Sequence, residues 1–341
     1  MPFWALDSVE TAQGSGLGVR VLSANFLNTS AIQHFEHRLQ AWARTLCVED
    51  RVAPHGTRIV DCGVQVAGGM FAGRMLAEVC LAGRGETQIV PGDPAIWPGP
   101  AVSVSTDMPL TACLGSQYAG WPVNVDKYFG MGSGPMRAAR GRESILQEME
   151  ILEQPEAVIG VLEASQLPDE QVCVTIAEEC GVKADQLTLL VAPTSSIAGA
   201  IQVVARSLET ALHKMHEIKF DMTSILSGFG VAPLPPISSN DLVGIGRTND
   251  AVLYGGQVTL WVNGDDKMLS ELGPLIPSSS SSDYGRPFAK IFEQYDHDFY
   301  KIDPLLFSPA VVTLLNLRTG NSFRFGKTRP EILGSSFGEN S

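Results

Sequence analysis

The sequence predicts an α+β protein built as two mixed α/β domains, with mixed sheets and flanking helices. Three observations predict it. Counts of 34 Gly and 21 Pro in 341 residues punctuate the chain too often for long uninterrupted helices, which removes helical bundles and coiled coils. Short β-rich segments are interleaved with amphipathic helical ones, and in the second half strand is followed by helix twice. Finally, 44% hydrophobic residues can fill a sizeable core, while 18% charged residues are too few for general disorder. At roughly 100–200 residues per domain, the length fits two.

Residues 1–27 read as an N-terminal extension, with neither the basic end nor the apolar run of a secretory signal. Asn28-Thr29-Ser30 then offers a helix cap, and Ile32, Phe35, Leu39, Trp42 and Leu46 recur at three- and four-residue steps, predicting a helix over 28–46. Short strands are expected at 58–61, 86–90 and 101–105, separated by Gly and Pro clusters. A helix follows Pro135 and continues through Met149. The charged stretch 150–156 around a single proline marks a boundary, giving a first domain at 28–154 and a second at 155–341, between which the chain is free to cross. The second half predicts a buried strand at 157–162, a helix at 169–180, a strand at 187–191 and the longest helix over 197–219. Residues 252–254 and 257–262 flank Gly255-Gly256 as a hairpin, and the serine run 278–282 is a loop. No internal repeat is present.

A formal charge of −13 argues against a nucleic-acid partner, because phosphate binding needs a basic face that releases counterions. The six cysteines never form CxxC and read as reduced thiols serving as small buried hydrophobes, which fits a cytoplasmic protein. The longest uncharged run that could pass for a membrane span, 187–205, is broken by Pro193 and Gly199, so no membrane partner is expected. Two HxxH pairs, His34/His37 and His213/His216, lack the third ligand and nearby base of a catalytic zinc site, so no metal is expected. Gly130-Met131-Gly132-Ser133-Gly134-Pro135 frees the backbone before a helix and could present N–H groups to an anion, though its spacing is that of neither a dinucleotide fingerprint nor a phosphate loop. On the long helix, Ile201, Val204, Leu208, Leu212 and Met215 form the core stripe, with Gln202, Arg206, Glu209, His213 and His216 beside it. Arg206 and Glu209 stand at i, i+3, where guanidinium and carboxylate can meet. From spacing alone, this polar stripe reads as a solvated face with a weak ion pair.

The ordered set Ala119-Gly120-Trp121, Tyr128 to Pro135, Leu190 to Thr194, Arg206 with Glu209, His213-Lys214-Met215, Arg247-Thr248-Asn249-Asp250, Leu253 to Gly256, Asp283-Tyr284-Gly285 and Asp298 to Asp303 resembles the methenyltetrahydromethanopterin cyclohydrolases. The resemblance runs over about 280 residues and leaves out 1–27. It implies a cytosolic, homotrimeric, two-domain enzyme of one-carbon metabolism with a ligand cleft between domains. Such an enzyme hydrolyses the methenyl bridge of a tetrahydromethanopterin carrier to the formyl form without metal or redox cofactor. It carries a catalytic pair onto Arg206 and Glu209. Because the carrier's tail is anionic and the protein acidic, local cations and backbone donors are expected to hold it, with Gly132, Ser133, Gly134, Arg247 and Lys301 as candidates, and Thr194, Asn249, Asp250 and Tyr254 of the matching segments are further candidate substrate contacts. Archaeal members commonly carry Lys where this chain has Tyr118. The difference suggests the bacterial branch, which serves formaldehyde oxidation, and makes Tyr118 a candidate proton donor.

That chemistry suits the residues. The methenyl carbon is electrophilic already, so a positioned water and a carboxylate to take its proton suffice, a role worth about 10²–10⁴ in rate. Arg206 would lower the pKa of Glu209 and burial would raise it. The competing reading is a non-catalytic pterin-binding protein.

Overall fold

The computed structural model describes residues 26–238, 240–296 and 298–338. In chain order its strands are β1 (Glu49–Val52), β2 (Arg58–Asp61), β3 (Glu86–Pro91), β4 (Pro100–Thr106), β5 (Trp121–Val125), β6 (Tyr128–Ser133), β7 (Val158–Glu163), β8 (Leu187–Ala192), β9 (Ile225–Pro233), β10 (Gln257–Val262), β11 (Val311–Asn316) and β12 (Ser322–Gly326). Among the described residues they form two six-stranded sheets, ordered β1-β2-β8-β7-β6-β5 and β12-β11-β10-β9-β4-β3. Both are mixed: β2, β8 and β7 run parallel at the centre of the first, and only β10 and β11 are parallel in the second. The α+β class expected from the sequence is the one observed.

The chain leaves the first sheet after β2, supplies β3 and β4 to the second, returns for β5 to β8, and then completes the second. The sheets share a core. One apolar cluster takes Val60, Val161 and Leu190 from the first sheet, and Val104, Leu260 and Leu314 from the second. Met75, Leu76, Leu208 and Leu212, from the helices Met70–Cys80 and Ser207–Glu217, belong to the same cluster. The central strands β7 and β8 are apolar runs buried on both faces, as parallel strands covered on two sides must be.

Four local expectations change. The first helix is Leu27–Ala41, and Asn28 lies inside it. Its side chain donates to Pro135 O (2.9 Å) and accepts from Ile159 N (3.0 Å), while Glu153, from the 150–156 stretch, accepts the N–H groups of Phe26 and Asn28. The segment after Pro135 is two short helices, Met136–Arg140 and Ser144–Glu148, divided at Gly141 with φ 64°. Residues 252–254 are the end of the helix Asp241–Gly255, capped by Asn240, so no hairpin forms there; tertiary burial overrides the β preference of Val252 and Tyr254. The helix expected over 197–219 is broken into Ile197–Val204 and Ser207–Glu217, with Arg206 at the break. Cys47 is exposed, and the other five cysteines are buried as expected. No helix among the described residues is long and apolar enough to cross a membrane.

Candidate active site

The site is built on that break. After β8, Ser196 caps the helix Ile197–Val204 by accepting Gly199 N–H at 3.0 Å. The helix stops at Val204, two residues before Arg206, whose carbonyl then opens the second helix by accepting Thr210 N–H. No glycine or proline marks the interruption. Instead the Arg206 guanidinium, 6% exposed, reaches three neutral acceptors: Gln117 O at 2.6 Å, Ser133 Oγ at 3.0 Å and Gln202 Oε1 at 2.9 Å. The first comes from a π-helix, Leu110–Gln117, in which Tyr118 N–H bonds Cys113 O five residues back. Ser133 ends β6, and its hydroxyl also meets Cys80 Sγ at 3.3 Å. Gln202 is buried, and its amide nitrogen donates to Glu163 Oε2 (3.0 Å), while Thr194 Oγ donates to Glu163 Oε1 (2.6 Å). Glu163 is the last residue of β7.

Glu209 lies in the first turn of the following helix, 3% exposed. The ion pair expected between Arg206 and Glu209 does not form, and the face is not solvated. The break turns the guanidinium toward β6 and the π-helix, and among the described residues Glu209 has no hydrogen-bond or ion-pair partner. Burial raises its carboxyl from about 4.5 to about 7, against the opposing pull of Arg206 and then Arg137. Tyr118 stacks on His213, one helical turn beyond Glu209, with ring centroids 4.6 Å apart and 15° between planes. Arg137 lies 4.9 Å from the Tyr118 centroid and forms a bidentate pair with Glu143. Burial, and then the charge of Glu209, push the Tyr118 phenol up to about 12, so it keeps its proton. Burial pushes the His213 imidazole down, keeping it neutral more readily. Arg206 and Glu209 therefore stand at the start of this helix, with Tyr118 packed against it one turn further on.

The remaining sequence candidates divide. Gly132 and Ser133 lie within β6, and Gly134, at φ 87°, donates its N–H to Ser116 O at 2.9 Å. The segment expected to cradle an anion is thus a strand end with that donor engaged. Thr194 joins the Arg206 network through Glu163. Asn249 and Thr248, with Arg206 and Ser308, line a cavity of about 60 Å³, room for a water or two and far below the hundreds of Å³ of a small-molecule pocket. Asp250 is fully buried and bound by Phe288 N–H (2.7 Å) and Ser336 Oγ (2.5 Å). Tyr254 Oη donates to Arg286 O and accepts the N–H of Gly285 and Arg286; Arg247 donates to Ser336 O and Pro236 O. These three residues pin the 283–288 loop and the C-terminal helix Pro330–Phe337. Lys301 is exposed, with Asp296 and Asp298 within 4 Å. His34 bonds Glu78 and His216 bonds Glu148, and no cluster of three or more potential metal ligands occurs among the described residues.

Sequence reasoning missed Glu163 and Arg137 as parts of the site. The one available signal for Glu163 was a charge ending an otherwise apolar strand. It also missed Lys214, which is buried on the helix of Glu209 and donates to Ser280 Oγ (2.9 Å) and Leu305 O.

The family model "Cyclohydrolase (MCH)" matches residues 26–337, a span that includes every one of these side chains. The chain belongs to this family. It is 48% identical to the methenyltetrahydromethanopterin cyclohydrolase of Rhodopirellula baltica over 288 residues, 83% of this chain and 86% of that one. Identity to the enzyme of the same name from Xanthobacter autotrophicus is 48% over 286 residues, 84% and 85% of the two chains. To that of Methanococcoides burtonii it is 40% over 299 residues, 87% and 93%. The family resemblance read from the ordered motifs is thereby established.

Proposed function

We propose that the protein hydrolyses the methenyl bridge of a methenyl-tetrahydromethanopterin carrier to the formyl form, with Glu209 as the base. The observation that carries the catalytic assignment is a buried carboxyl, raised by burial to about 7 and without a bonded partner among the described residues, on the helix that Arg206 opens. Water adds to the methenyl carbon as Glu209 takes its proton. The tetrahedral intermediate then loses its hydroxyl proton to form the formyl C=O as one C–N bond breaks, and the freed nitrogen takes the proton held by Glu209. One proton is released overall. A base with a pKa near the working pH combines ionisation with proton affinity. Arg206 Nε is buried with no hydrogen-bond partner among the described residues, which suits it to the oxygen of the intermediate. Tyr118 keeps its proton and stands beside Glu209 as an alternative donor to the leaving nitrogen.

The reading extends to a cytoplasmic homotrimer of one-carbon metabolism, with Asn249 at the Arg206 cavity, and Arg247 and Lys301 as cations for the anionic tail of the carrier. The chemistry calls for no cofactor because the bridging carbon is already electrophilic. Loss of the methenyl chromophore when purified protein meets the methenyl carrier, with the folate analogue as control, tests it. Carrier binding with an unchanged chromophore decay rate would favour the non-catalytic reading.

A further inference from the structure

We propose that Gln202 and Glu163 form a positioning relay that sets the guanidinium of Arg206. The inference rests on the catalytic reading of Arg206 and adds to it residues that act through that side chain.

A guanidinium only donates hydrogen bonds and a carboxylate only accepts them. Gln202 stands between one of each: its carbonyl accepts Arg206 Nη2 at 2.9 Å, and its amide donates to Glu163 Oε2 at 3.0 Å. Only one orientation of the amide satisfies both neighbours, so the pairing fixes the side chain. The far end is rigid. Glu163 ends β7, paired with Ala192 of β8 on one side and Met131 of β6 on the other, and its second oxygen accepts Thr194 Oγ at 2.6 Å. The relay therefore runs from the sheet to the helix break.

Charge gives the arrangement its purpose. Arg206 is buried among neutral acceptors, and an isolated buried cation is costly. A carboxylate bonded directly to it would occupy donors and fix the guanidinium as half of a salt bridge. Placing the carboxylate of Glu163 one amide away supplies countercharge through a polarised hydrogen-bond chain and leaves Nε without a partner among the described residues.

A double-mutant cycle of Q202M and R206A, scored by methenyl chromophore decay, tests the relay, with thermal melts checking that each variant folds. Q202M keeps the side-chain volume and removes both hydrogen bonds. It is expected to lower kcat about 10- to 100-fold, as small misplacements of catalytic groups do, with KM changed less than about threefold. In the R206A background the same substitution should cost less than about twofold more, because its effect passes through Arg206. A kcat for Q202M near wild type, or full losses that multiply in the double variant, would overturn the relay while leaving Arg206 catalytic. Wild-type turnover in R206A would instead overturn the underlying reading. If Q202M fails to fold, E163Q decides by the same cycle: a kcat loss absent in the R206A background supports the relay, and an unchanged or additive kcat overturns it.

Discussion

Glu209 and Asp250 are both buried carboxyls, and burial raises each to about 7. Their surroundings differ. Asp250 is bound at both oxygens, by Phe288 N–H and the Ser336 hydroxyl, and so joins the helix Asp241–Gly255 to two later segments. Among the described residues, Glu209 has only the charges of Arg206 and Arg137 acting on it, with no hydrogen bond to either. Similar titration thus arises from opposite arrangements, one spending its acceptors on the fold and the other keeping them for a reactant. A shifted pKa alone does not mark a catalytic group; the unspent hydrogen-bonding capacity beside it does.

The contrast can be broken most sharply by removing the charge of Glu209. E209Q keeps shape and volume, and steady-state kinetics should show kcat lowered about 10²- to 10⁴-fold. Stability should move the other way. The folded-state pKa lies above the unfolded one, so the native protein holds an extra proton between about 4.5 and 7. The stability this gives is complete below the unfolded pKa and is lost as pH rises through 7. E209Q, permanently neutral, should therefore melt higher than wild type at pH 8, by an amount on the order of 3 kcal/mol. The gap should narrow by pH 5 and vanish below about 4.5. Equal melting behaviour at all pH values would mean that the carboxyl is not desolvated. D250A should show the opposite pattern at pH 5, where the native Asp250 carboxyl is neutral: the buried Phe288 N–H and the part-buried Ser336 hydroxyl lose their acceptor, costing about 1–3 kcal/mol in denaturant unfolding, with kcat within a few-fold of wild type. A D250A variant that is stable but inactive would erase the distinction.

The sequence carried the fold class and the polar stripe Gln202, Arg206, Glu209 and His213, because apolar periodicity is a local property. It misjudged the stripe as solvated, since burial there depends on the π-helix Leu110–Gln117 and on β6, some 90 and 75 residues away in the chain. The break at Arg206 was illegible for the same reason: no helix breaker stands there, and three long-range or turn-spaced acceptors hold it open. The 252–262 hairpin failed because three β-prone residues beside a glycine pair look alike at a helix end and in a strand. For Arg247, Asp250 and Tyr254 the motifs marked a dense polar segment, while their partners at 236, 285–288 and 336 became visible only in three dimensions.

The most direct test is the pH dependence of kcat/KM for the wild-type protein between pH 4 and 9. With Glu209 acting as its carboxylate, the rate should climb about tenfold per pH unit on the acid side and level off above a midpoint near 7. A profile flat across this range, or one whose acid limb falls at the ordinary carboxyl value near 4.5, would contradict the assignment of the buried Glu209 as the base.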